Sequence, residues 1–134
     1  MKKEQLCELA KEAMMRAYAP YSSCKVGAAL LAKSGKVYQG CNIENASFSP
    51  TICAERSAFA SAVSAGEREF SALAVTGGRN GEISGAFFPC GVCRQVIREF
   101  CADDFPIYVF AENGRIIETT LSELLPNSFS KEAM

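Results

Sequence analysis

Cys53-Ala54-Glu55-Arg56-Ser57-Ala58-Phe59 opens an alanine-rich run that Gly66 stops, and it reads as a helix whose first residue is a cysteine. Pro89-Cys90-Gly91-Val92-Cys93 repeats the device. Val92, Val96, Ile97 and Phe100 follow at helical intervals behind a proline suited to a helix start. Between these helices, Ala72-Leu73-Ala74-Val75-Thr76 predicts a short buried strand ended by Gly77-Gly78. Upstream, Val26–Ala32 and Lys36–Cys41 flank the turn dipeptide Ser34-Gly35 and predict a β-hairpin. Lys3–Ala17 carries Leu6, Leu9, Ala10, Ala13, Met14 and Ala17 at helical spacing, an amphipathic first helix. Downstream, residues 106–110 and 115–119 flank Asn113-Gly114, a type I′ hairpin signal, and Leu121–Leu125 fits one last helical turn before Pro126. The order is helix, two strands, helix, strand, helix, two strands. It predicts a three-layer α/β/α fold with a mixed five-stranded sheet and helices on both faces. At 134 residues the chain is expected to be one catalytic domain spanning 1–134.

The two cysteine-led helices also carry the chemistry. Cys90 and Cys93 lie three apart and share a helix face, so both thiols can point at one ion with Cys53. A structural zinc site closes its tetrahedron with four protein ligands, whereas a catalytic one leaves a position open. Three thiols with Glu55 beside them match the open kind. Helix starts carry positive partial charge and spare N–H donors, which favour thiolate. Three thiolates would still leave the site at net negative charge, so a cation should donate to the sulfurs. Arg56 and Arg94, each directly after a motif residue, are the candidates. Glu55 is placed to accept and return a proton.

Composition removes several classes of function. There is no histidine, which excludes a Ser-His-Asp triad, a Cys-His pair and a His-Glu-x-x-His zinc site. A net charge of −1 offers no footprint for a phosphate backbone, so a free small molecule is expected as substrate in preference to nucleic acid. No apolar stretch suggests an export signal or a membrane span. Seven cysteines, an odd number, then suggest a reducing cytoplasmic setting with metal-bound or buried thiols. Cys7, Cys41 and Cys101 fall on apolar faces and read as small buried hydrophobes. Cys90-Gly91-Val92-Cys93 alone would also suit a redox pair, but that reading leaves Cys53 and Glu55 unexplained. A zinc-stabilised binding module would need a fourth ligand from Cys24, Cys41 or Cys101.

Four motifs in order carry a family resemblance: Ala19-Pro20-Tyr21-Ser22 with Val26-Gly27-Ala28-Ala29; Gly40-Cys41-Asn42-Ile43-Glu44-Asn45-Ala46-Ser47; Cys53-Ala54-Glu55-Arg56; and Pro89-Cys90-Gly91-Val92-Cys93-Arg94-Gln95. Through them the chain resembles the small, homotetrameric, zinc-dependent cytidine deaminases of pyrimidine salvage over nearly its full length. The resemblance implies one Zn²⁺ per chain on Cys53, Cys90 and Cys93. It implies hydrolysis of cytidine and 2′-deoxycytidine to the uridines plus ammonia, with Glu55 moving the protons. Asn42 and Glu44 would bind the ribose hydroxyls, and Glu55 with the backbone around Ala54 would hold the pyrimidine edge. Phe129, behind Leu124-Leu125-Pro126, would reach a neighbouring subunit's site. The chain departs from the family where Cys24-Lys25 replaces the more usual Phe-Pro. Another aminopyrimidine nucleoside such as blasticidin, or a base within RNA or DNA, is the alternative substrate.

Overall fold

In the computed structural model, which describes residues 1–134, five strands form one sheet of order β2-β1-β3-β4-β5. The strands are β1 (Cys24–Ala32), β2 (Val37–Cys41), β3 (Phe70–Arg79), β4 (Pro106–Phe110) and β5 (Ile116–Thr120). Only β3 and β4 run parallel, joined by the crossover helix α3 (Gly91–Phe100). The other pairings are antiparallel, so the sheet is mixed as expected.

Alternation along the strands sorts the side chains to two faces. Ala28, Leu30 and Ala32 of β1 pack with Leu73 and Ile107 beneath α2 (Ala54–Ser64) and α3. Ala29, Ala72 and Ala74 face the other way and meet Leu6, Cys7 and Ala10 of α1 (Lys3–Met14). These are the three expected layers. Phe59 of α2 stacks on Phe100 of α3, ring centroids 5.8 Å apart, and meets Phe70 edge-on at 5.1 Å. That cluster braces the two cysteine-led helices against each other.

Local signals mostly hold. Gly66, at φ +100, sits at C′ of α2, where its N–H bonds Val63 O and the Glu67 N–H bonds Ala62 O, the pair of bonds that closes a Schellman motif. Asn113 and Gly114 both have positive φ, as a type I′ turn requires, between β4 and β5. The short helix α4 (Leu121–Leu124) begins where the Thr120 hydroxyl accepts from the Glu123 N–H.

The glycine pair behaves differently from its reading as a strand end. β3 runs through Gly77 and Gly78 to Arg79, pairing Gly77 with Val26 and Gly78 with Lys25. A Cβ on Gly78 would stand 1.6 Å from Glu82 O, so these glycines admit a returning chain and do not break the strand. The segment after β2 is also tied down. Ile43 bridges Ile52 through two 3.0 Å backbone hydrogen bonds and also pairs in parallel with Tyr18, whose N–H donates to Asn42 O and whose carbonyl accepts from the Glu44 N–H. This bridge fixes the approach to Cys53.

Candidate functional site

Cys53 and Cys90 are the N-cap residues of α2 and α3, each with extended backbone and neither using its side chain to cap. The sulfurs are therefore free to turn toward each other beside unspent N–H donors. Cys53 Sγ lies 3.7 Å from Cys90 Sγ, and Cys90 Sγ lies 3.5 Å from Cys93 Sγ. All three fall within 4.8 Å of one another. Zinc–sulfur bonds of ~2.3 Å at tetrahedral angles place sulfurs about 3.8 Å apart, so the two separations to Cys90 Sγ suit Zn²⁺. Cys24, Cys41 and Cys101 do not join this group. The cluster positioned for a metal ion is the trio of cysteines singled out from the sequence.

The surrounding charges favour thiolate. Arg56 Nη2 donates to Cys53 Sγ at 3.3 Å. Without metal, a hydrogen bond from Cys93, with help from Arg56, brings the Cys53 thiol down to about 5 against the pull of burial. Cys93, as the donor to Cys53 and itself buried, is pushed up. The Arg56 guanidinium is held still more firmly charged by Cys53. Arg94, by contrast, does not serve the sulfurs. Its Nε donates to Pro89 O and its Nη1 to Leu124 O, both at 2.7 Å, because its place in the first turn of α3 faces the C-terminal segment. It ties the Cys90 loop to α4.

Glu55, the second residue of α2, is only 4% exposed and lines a cavity of about 280 Å³ together with Cys53 and Cys90. Burial pushes its carboxyl up to about 7. A carboxyl there can both take and give a proton near neutral pH. Ala54, fully buried, lines the same cavity.

Asn42 and Glu44 also reach this cavity, and both already hold the start of β1. Asn42 Oδ1 accepts from the Val26 N–H and Nδ2 donates to Cys24 O, each at 2.8 Å. One N–H and one lone pair stay available on that amide. Glu44 accepts from the Tyr21 and Ser22 N–H groups at 2.9 and 3.1 Å and from the Ser22 hydroxyl. Led by the hydroxyl, these bonds hold its carboxyl below the usual range. Phe129 stands apart, 64% exposed and outside this cavity, with its carbonyl accepting from Gln95 Nε2 at 2.9 Å. Sequence reasoning missed Ile52, Val75, Phe87 and Phe88, which also line the wall. Only their adjacency to the cysteine motifs, or to the central strand, hinted at them.

Residues 1–109 match the family described as the cytidine and deoxycytidylate deaminase zinc-binding region. The chain is 54% identical to a cytidine deaminase of Sporosarcina psychrophila over 96% of its own length and 92% of that protein's. It is 46% identical to the cytidine deaminase of Halalkalibacterium halodurans over 100% and 98%. The crystal structure of cytidine deaminase from Burkholderia pseudomallei superposes with a TM-score of 0.89 at 46% identity, covering 96% of this chain and 100% of that one. With the fold, the three-sulfur cluster and nearly the whole length in agreement, the chain belongs to the cytidine and deoxycytidylate deaminase family.

Proposed function

We propose that this chain hydrolyses cytidine and 2′-deoxycytidine to uridine and 2′-deoxyuridine, releasing ammonia. The observation that carries the reading is a buried Glu55 in the same cavity as a thiol cluster spaced for zinc. Cys53, Cys90 and Cys93 hold the ion. When bound, zinc acts as a Lewis acid that makes water a nucleophile near neutral pH. Glu55 takes the proton that water loses and delivers it to ring N3 as oxygen bonds C4. The remaining hydroxyl proton then passes through the same carboxylate to the amino group, which leaves as ammonia while the C4 carbonyl forms. Burial serves both steps, because a carboxyl near neutrality accepts and donates with little driving force lost.

Asn42 and Glu44 bind the ribose hydroxyls with the hydrogen-bonding capacity β1 leaves them, and Ala54 backbone and Glu55 hold the pyrimidine edge. Arg56 offsets the negative charge of three thiolates through its bond to Cys53. Phe129, exposed on its own chain, serves a neighbouring subunit's cavity in a homotetramer. The unit of activity is the 1–134 domain, and its place is pyrimidine salvage in the cytoplasm. The near-neutral charge and the cavity's modest size favour a free nucleoside. The test is the ultraviolet change from cytidine to uridine, followed with and without a chelator. Turnover that a chelator abolishes and zinc restores is expected; deamination of cytosine in an oligonucleotide but not of the nucleoside would refute it.

A further inference from the structure

Most of the cavity that ends at Glu55 has a thin wall. Cys24 and Val26 of β1, Ile52 before α2 and Val75 of β3 present only a thiol and aliphatic groups. Two rings reach the cavity, Phe87 and Phe88, adjacent in sequence and unlike in situation. Phe87 is half-buried and pinned: a Cβ on Gly77 would lie 2.8 Å from both Cγ and Cδ2 of its ring. That ring rests on the β3 backbone. Phe88 is 41% exposed, and the ring pairs of the fold, all among Phe59, Phe70 and Phe100, do not use it.

The backbone beneath Phe88 is nonetheless fixed. Pro89 is buried and its carbonyl accepts from Arg94 Nε at 2.7 Å, while Cys90 follows as a metal ligand. A ring with an uncommitted face on a rigid mount, in the cavity that Glu55 and Cys90 also line, is suited to receive another flat ring. We propose that Phe88 is the aromatic wall on which the substrate's pyrimidine ring stacks, supplied by the same chain that provides Glu55 and the zinc ligands. The inference rests on the nucleoside reading above and adds a residue that decides affinity for the base.

Stacking holds the ring equally before and during reaction, so its loss should raise KM and spare kcat. Base–aromatic stacks measured on other proteins correspond to about 5- to 150-fold in affinity. The experiment is steady-state turnover of cytidine by zinc-loaded wild type, Phe88→Ala, Phe88→Leu and Phe88→Tyr, with zinc measured per chain. Expected is a KM raised about 10-fold or more in Phe88→Ala with kcat within about 3-fold, partial recovery in Phe88→Leu, and near-wild-type KM in Phe88→Tyr. An unchanged KM in Phe88→Ala overturns the inference, as does a leucine that performs as well as tyrosine. So does a fall in kcat that tracks lost zinc, which would mark the ring as support for Cys90 alone. Should Phe88→Ala fail to fold, the leucine and tyrosine variants still decide. An active wild type whose KM ignores Phe88 sinks this inference alone; a wild type inert on both nucleosides sinks the functional reading with it.

Discussion

Glu55 shows how one residue can serve chemistry at a cost to the fold. Folded, its carboxyl keeps a proton up to about 7, whereas an unfolded glutamate releases it near ~4.3. The folded state therefore binds the extra proton, and stability falls as pH rises from the lower value to the higher. Above that the cost is complete, about 4 kcal/mol for the metal-free protein. Glu55→Gln removes the charge. Metal-free Glu55→Gln is expected to match wild type in urea unfolding at about pH 4 and to exceed it at about pH 8. The same variant, zinc-loaded, should keep its metal while turnover drops by about 10²-fold or more. Retained activity would remove Glu55 from the mechanism. Arg56→Gln takes the donor from Cys53 Sγ and is expected to lower zinc affinity or activity by about 10- to 100-fold, read by competition with a chromogenic chelator.

Elements matter through the way they deliver cysteines. α2 and α3 each contribute a cysteine of the cluster from an N-cap, and the rings of Phe59, Phe70 and Phe100 hold those helices in register. Phe59 is 2% exposed, so Phe59→Ala should cost about 3–5 kcal/mol in denaturant unfolding. Zinc should also dissociate faster, because Cys53 sits on one braced helix and Cys90 and Cys93 on the other. Unchanged zinc release would separate the brace from the site. The same scale explains what could be read early. Gly66 and Asn113-Gly114 were legible because the turn geometry each adopts is dictated locally by positive φ. Gly77-Gly78 looked like a local stop, yet the glycines answer to Phe87 and Glu82, which arrive from further along the chain.

For the whole molecule, the position of Phe129 is the telling feature. It lies outside the cavity of its own chain, held near α3 by Gln95, on a tail that Arg94 also anchors through Leu124. If subunits share sites, mixing two defective chains should rebuild some complete ones. Co-assembly of Glu55→Gln with Phe129→Ala chains is expected to bring cytidine affinity at working sites back toward wild type. Those sites would draw Glu55 from one chain and Phe129 from the other. A KM that stays at the Phe129→Ala value would place Phe129 outside its neighbour's site. Stripping zinc should also lower the melting temperature, since a ligand that binds only the folded state stabilises it by mass action.

Sequence alone determined the order of elements, the three zinc-ligand candidates and the carboxylate beside them. Each of these depends on spacing within one helix, on a turn residue or on hydrophobic periodicity, and such signals are complete within about a dozen residues. Tertiary structure decided the rest. It brought Cys53 within 3.7 Å of Cys90, gave Arg56 to the sulfur and Arg94 to two carbonyls, and closed the cavity with Val75, Phe87 and Phe88. Those outcomes depend on which strand lies beside which and how deeply a side chain is buried, quantities set by packing between segments remote in the chain.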